Sequence, residues 1–130
     1  MAKKTVEKIA EVAANWWAEK IVKPRFNMGA SSPQEMLAEV MATVMAKNNI
    51  DDELKTKFIE SLKNKIISYL ENHKTMCIDV DYSPCEVLYR AMEDAGIPSN
   101  NAPWKTVMWI SKTEGEVSVK YGYGAGVTIL

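Results

Sequence analysis

Met76-Cys77-Ile78-Asp79-Val80-Asp81-Tyr82-Ser83-Pro84-Cys85-Glu86 is the stretch in which the chain changes rhythm. Ile78, Val80 and Tyr82 alternate with Cys77, Asp79 and Asp81, the two-residue period of a strand with one buried face. Ser83-Pro84-Cys85-Glu86 then reads as a helix start. The serine can accept from a first-turn amide, the proline has no amide to satisfy, and the glutamate can reach back. The helix it opens ends at Gly96, a residue type suited to a left-handed cap, and Ile97-Pro98 follows.

Upstream of this switch the pattern is helical. Thr5 caps a first helix to about Val22, with Val6, Ile9, Ala10, Ala13, Trp16, Trp17 and Ile21 at helical spacing. Lys23-Pro24 ends it, and Arg25 to Ser31 reads as a loop. Ser32-Pro33-Gln34-Glu35 starts a second helix carrying Met36, Leu37, Val40, Met41, Val44 and Met45, which Asn48-Asn49 stops. Asp51 caps a third to about Glu71, with Leu54, Phe58, Leu62, Ile66, Tyr69 and Leu70 as its buried stripe. Downstream, Ser99 to Pro103 is a loop, Trp104 to Ser111 a strand, Lys112 to Gly115 a turn, Glu116 to Tyr123 the returning strand, and Val127 to Leu130 a short edge strand. The expectation is an α+β fold in one domain over residues 1–130: about four helices on one face of a mostly antiparallel three- to four-stranded sheet, with a C-terminal hairpin.

Composition narrows the function. With 16 basic and 17 acidic residues the net charge is −1, so no strong field favours a phosphate backbone, and nucleic acid is not an expected partner. Two cysteines, Cys77 and Cys85, make no disulfide framework. No run of about 18 apolar residues occurs, and Met-Ala-Lys-Lys leads straight into an amphipathic helix. The expected compartment is the cytoplasm, with no membrane partner.

Candidate chemistry is sparse. Gly122-Tyr123-Gly124-Ala125-Gly126 lacks the following helix that a phosphate loop requires, and it reads as a loosened strand end or a close approach to a ligand or partner. Asp79 and Asp81 share a strand face without a third ligand. His73, Cys77 and Cys85 are too few for a zinc site and lack the third group that orients a nucleophile pair. No catalytic residue, metal or cofactor is therefore assigned. The remaining concentration is aromatic and cationic: Trp104, Trp109, Tyr121 and Tyr123, with Arg90, Lys105, Lys120 and Gly124 nearby. Rings can stack on a base while cations take phosphate, so these eight residues form the candidate site for a small nucleotide. The competing reading is a core-facing aromatic layer with a solvated rim. Trp16 and Trp17 are adjacent and cannot both face one core from one helix. One belongs in the core, and the other at a helix–sheet seam or in a subunit contact, so a homo-oligomer with Trp16 or Trp17 in its interface is expected. The methionines read more as core filler than as an adaptable surface.

Five segments, Ala13-Ala14-Asn15-Trp16-Trp17-Ala18, Asp79-Val80-Asp81-Tyr82-Ser83-Pro84, Ala95-Gly96-Ile97-Pro98, Pro103-Trp104-Lys105-Thr106 and Tyr121-Gly122-Tyr123-Gly124-Ala125, together resemble small uncharacterised proteins encoded in phages and prophages of gut Firmicutes. The resemblance implies context, not activity: small phage accessory proteins often counter host defence. On it rests the expectation of a non-enzymatic anti-defence protein that sequesters a small nucleotide signal in the host cytoplasm. The alternatives are a protein-binding inhibitor of a host defence complex, of the anti-CRISPR kind, and a small signal-degrading enzyme.

Overall fold

The computed structural model describes residues 4–22, 32–45, 50–122 and 126–130, with the backbone only at 35, 39 and 42–45. The loop expected over Arg25 to Ser31, the stop at Asn48-Asn49, the Val44 and Met45 side chains, and Tyr123 and Gly124 of the candidate site lie outside the described residues. What is described is α+β: helices α1 (Val6–Val22), α2 (Pro33–Met45), α3 (Asp52–Leu70) and α4 (Glu86–Ala95), a 3-10 turn at Ser99–Asn101, and strands β1 (Thr75–Val80), β2 (Thr106–Ser111), β3 (Glu116–Lys120) and β4 (Val127–Ile129). The strands form one antiparallel sheet in sequence order, β1-β2-β3-β4. No described helix is long and apolar enough to cross a membrane.

The starts of α1 and α3 follow their capping residues. The Lys8 amide donates to Thr5 Oγ1 at 3.2 Å and the Leu54 amide to Asp51 Oδ1 at 2.9 Å, each satisfying a first-turn amide that has no helical partner. Gly96 closes α4 at φ +74°, a conformation nearly free for glycine and strained for other residues. The buried stripe of α1 is mostly alanine, at 10, 13, 14 and 18, which lets it lie close to α3 and to Phe58, Leu62 and Ile66. α3 packs in turn on α4 through Leu88, Ala91, Met92 and Ala95. These helices cover the sheet face that carries Met76, Ile78, Val80, Thr106, Met108, Ile110, Val117 and Val119. Trp17 is fully buried there, and its indole N–H donates to Met108 Sδ at 3.2 Å.

The strand ends differ from the expected ones. Ser83-Pro84 does not cap α4. The cap residue is Cys85, without a side-chain bond to the helix, because Pro84 bridges back to Val80 and the Cys85 amide donates to Asp79 C=O at 2.9 Å. That turn ends β1 two residues before Tyr82. β2 starts at Thr106 rather than Trp104, since Lys105 has φ +55° and donates its amide to Asp81 C=O. β3 stops at Lys120, before Gly122 turns at φ +79°.

Asn101 is fully buried, and its Nδ2 donates to Ile21 C=O at 2.9 Å, in the last turn of α1 where no amide follows within the helix. Asn101→Ala is expected to lower stability by about 1–3 kcal/mol in urea melts, the cost of a buried carbonyl left without a donor. A loss below about 0.5 kcal/mol would mean that another donor replaces it.

On the surface, α3 and α4 are latched. Asp94 Oδ2 accepts from Ser61 Oγ at 2.7 Å and pairs with Lys65 Nζ at 3.0 Å. The Ser61 hydroxyl, and then Lys65, hold the Asp94 carboxyl below its ordinary value. The folded state therefore binds that proton less readily than the unfolded chain. The latch stabilises fully above the ordinary carboxylate pKa and is lost as pH falls through the lowered one. The gap in urea midpoint between the native chain and Asp94→Asn is expected to be largest near neutral pH and to fade below about pH 4. A gap that does not change with pH would contradict this. The pair is exposed, so the gap is small.

Candidate functional site

Strand parity divides the candidate residues. Trp109 stands opposite Cys77 on β1 and Ser118 on β3, and Ser118 stands opposite Ile129 on β4. This row, and the neighbouring row Asp79–Val107–Lys120–Val127, lie on the face turned away from the helices. Trp109 is 42% exposed in the middle of that face. It lines a shallow hollow of about 540 Å3 with Tyr69, Thr75, Cys77, Ser111 and Glu116. A ring could stack there, and Lys120 is on the same face one position beyond Ser118, but Glu114 and Glu116 also border the hollow and repel phosphate. Burial, with smaller contributions from the Asp79 carboxylate and Cys85, pushes the Cys77 thiol up, so it stays protonated at neutral pH and is a weak nucleophile.

Trp104 and Lys105 sit elsewhere, at the turn before β2. Trp104 meets the Tyr82 ring edge-on at 5.1 Å, and Lys105 Nζ lies 4.5 Å from the Tyr82 centroid while ion-paired with Asp81. The Lys105 charge is thus engaged in holding the β1 and β2 turns together. Tyr121 is on the helix side of the sheet. It packs edge-on against Trp16 at 5.6 Å, and Lys20 Nζ stands 4.7 Å from the Tyr121 centroid and 5.4 Å from that of Trp16. Arg90 runs along exposed α4 to Glu86 at 3.0 Å. Of the candidate set, then, Trp109 and Lys120 share the open sheet face and Trp104 and Lys105 meet around Tyr82, whereas Tyr121 packs on Trp16 and Arg90 pairs with Glu86. Of the tryptophan pair, Trp17 is core and Trp16 is the half-buried seam residue, 5.0 Å from it edge-on. Among the described residues no three His, Cys, Asp or Glu side chains are grouped to hold a metal ion.

Among the described residues, α2 carries a group of exposed large apolar side chains, including methionines expected as core filler. Met36, Leu37, Val40 and Met41 of α2 are each between 56% and 62% exposed. Their spacing puts them on one side of the helix, and α2 packs on the rest of the fold chiefly through the 3-10 turn at Ser99–Asn101. The helix carries Glu35 and Glu39 and no lysine or arginine. Met76, Met92 and Met108 are core filler as expected, whereas Met36 and Met41 are not. The one sequence signal for the difference is the pairing of methionine richness with an absence of basic residues. No known protein family matches the chain, and no curated protein is similar to it.

Proposed function

We propose that the chain is a protein-binding accessory module that docks the apolar side of α2 into a groove of another protein, one with apolar walls and a basic rim. The observation that carries this reading is the run of four large apolar side chains, all more than half exposed, on a helix whose only charges are acidic. The largest contiguous apolar patch on a folded domain is often its functional one. Flexible methionines suit helix-in-groove recognition, and a helix segment with acidic and no basic residues favours lysine or arginine in its partner. In the phage context that the sequence suggests, such a module acts as an inhibitor of a host protein, without chemistry of its own.

A photo-crosslinking residue at position 37 tests this. The reading requires one recovered protein with a basic-rimmed apolar groove, whose purified form binds the native chain and loses that binding in Leu37→Lys. Crosslinks only to the chain itself, or affinity unchanged by Leu37→Lys, would sink it. A second reading, sequestration of a small nucleotide, is favoured by Trp109 lying exposed beside Lys120 on the open sheet face. A thermal shift with cyclic nucleotides that Trp109→Ala abolishes would select it over the first.

A further inference from the structure

We infer that β4 is the contact through which two copies of this chain join, edge to edge, into one antiparallel sheet across a two-fold axis. The two edges of the sheet are built differently. At β1, Pro84 bridges Val80, the Cys85 amide takes Asp79 C=O, and Asp79 and Asp81 bring charge. These are the devices that stop a strand from pairing with another chain. β4 has none of them. Val127-Thr128-Ile129 carries no charge and no proline, no described strand lies beyond it, and Val127 and Ile129 are 61% and 65% exposed.

The hydrogen-bond phase makes this edge self-complementary. The Leu130 amide donates to Val117 C=O at 2.8 Å, so those two residues form a hydrogen-bonded pair. Alternation along an antiparallel ladder makes Val119 and Thr128, which stand opposite each other, the next such pair. The N–H and C=O groups of Val127 and Ile129 therefore point to the open edge. A two-fold axis at Thr128 sets Val127 of one copy against Ile129 of the other, and the reverse, so all four outward groups on each copy are satisfied at once. Antiparallel pairing keeps side chains on their own face, which clusters both valines and both isoleucines beside Ser118 on the outer surface, with Trp109 one strand further in. A net charge of −1 adds little repulsion. The joined sheet ends in β1 at both sides, and those edges are blunted, so assembly closes at two.

A three-residue contact is below the usual size of a permanent interface, and the expected dissociation constant is on the order of 100 μM. Sedimentation equilibrium from about 10 μM to about 1 mM reads it, because an interface this small is half occupied within that range. The native mass should climb from 14.6 kDa toward twice that value. Ile129→Pro removes an amide that faces the open edge and not β3, a placement an edge strand tolerates; Ile129→Lys puts charge in the contact. Both should stay at the monomer mass with an unchanged circular dichroism spectrum, while Leu37→Lys on α2 should dimerise as the native chain does. A native chain monomeric throughout, association that survives both Ile129 variants, or loss of association in Leu37→Lys overturns the inference. Hydrogen exchange gives an answer that needs no variant: the Val127 and Ile129 amides should slow as concentration rises, and unchanged rates where the mass has doubled count against β4.

Discussion

Trp17→Ala is expected to destabilise the chain by about 3–5 kcal/mol, the cost of emptying a large aromatic site in a closed core. The ring is fully buried between α1, α3 and the sheet, so the structure around it can relax only by moving whole elements. Domains of this size are stable by only about 5–15 kcal/mol, so urea melts should shift by much of the whole transition. Two milder variants separate packing from the hydrogen bond to Met108. Trp17→Phe keeps most of the apolar volume and removes the N–H. Met108→Leu keeps the N–H and removes its acceptor, and is expected to cost about 1–3 kcal/mol for the stranded donor. If Trp17→Ala costs less than about 1.5 kcal/mol, the site is not closed and the core placement of this ring is wrong.

Charging α2 should have the opposite signature. Leu37→Lys combined with Val40→Lys removes two adjacent apolar groups and sets positive charge against a basic rim. Loss of partner affinity by at least about 100-fold is expected, because buried apolar anchors at the centre of an interface carry most of its energy. Both side chains are exposed in the free chain, so the melting temperature should move by no more than about 2–4 °C. Fluorescence of an apolar-surface dye such as anilinonaphthalene sulfonate should also fall, a readout that needs no partner. Binding within about threefold of native would exclude this face as the contact; a large fall in melting temperature would mean that it is core.

The elements were legible where one signal acted alone. The stripes of α1 and α3, the Asp51 and Thr5 caps, the Gly96 end of α4 and the Lys112–Gly115 turn can be read from spacing and residue type, but Tyr69, expected in the buried stripe of α3, is 40% exposed and stacks on His73 instead. The repeated Ser-Pro-x-Glu pattern was not decisive, because it starts a helix directly at Pro33 but at Pro84 competes with the open edge of β1, and the edge takes the proline. The stripe of α2 looks like a core stripe by spacing, and its methionines without a basic residue are the one local sign that it turns to water. Trp109 and Tyr121 of the aromatic set lie on opposite faces for a reason of parity. In the β2–β3 pairing, Trp109 stands opposite Ser118, so odd positions on β2 share a face with even positions on β3. Trp109 and Lys120 therefore come together while Tyr121 goes to the helices, a division that depends on the register and that spacing alone does not reveal.

The hydrogen bond from Trp17 to Met108 also links two moments in the chain's synthesis, since 91 residues separate its partners. At about 5–20 residues per second, a ribosome needs roughly 5–18 s to travel from one to the other. Throughout that interval α1 is already made, with an apolar side and an indole donor but no sheet to receive them. β2 and β3 thus finish a core that α1, made earlier, begins. Nascent chains arrested before Met108 should therefore engage chaperones through α1, and chains extended until β2, β3 and β4 have emerged should lose that engagement within the folding time of a small domain.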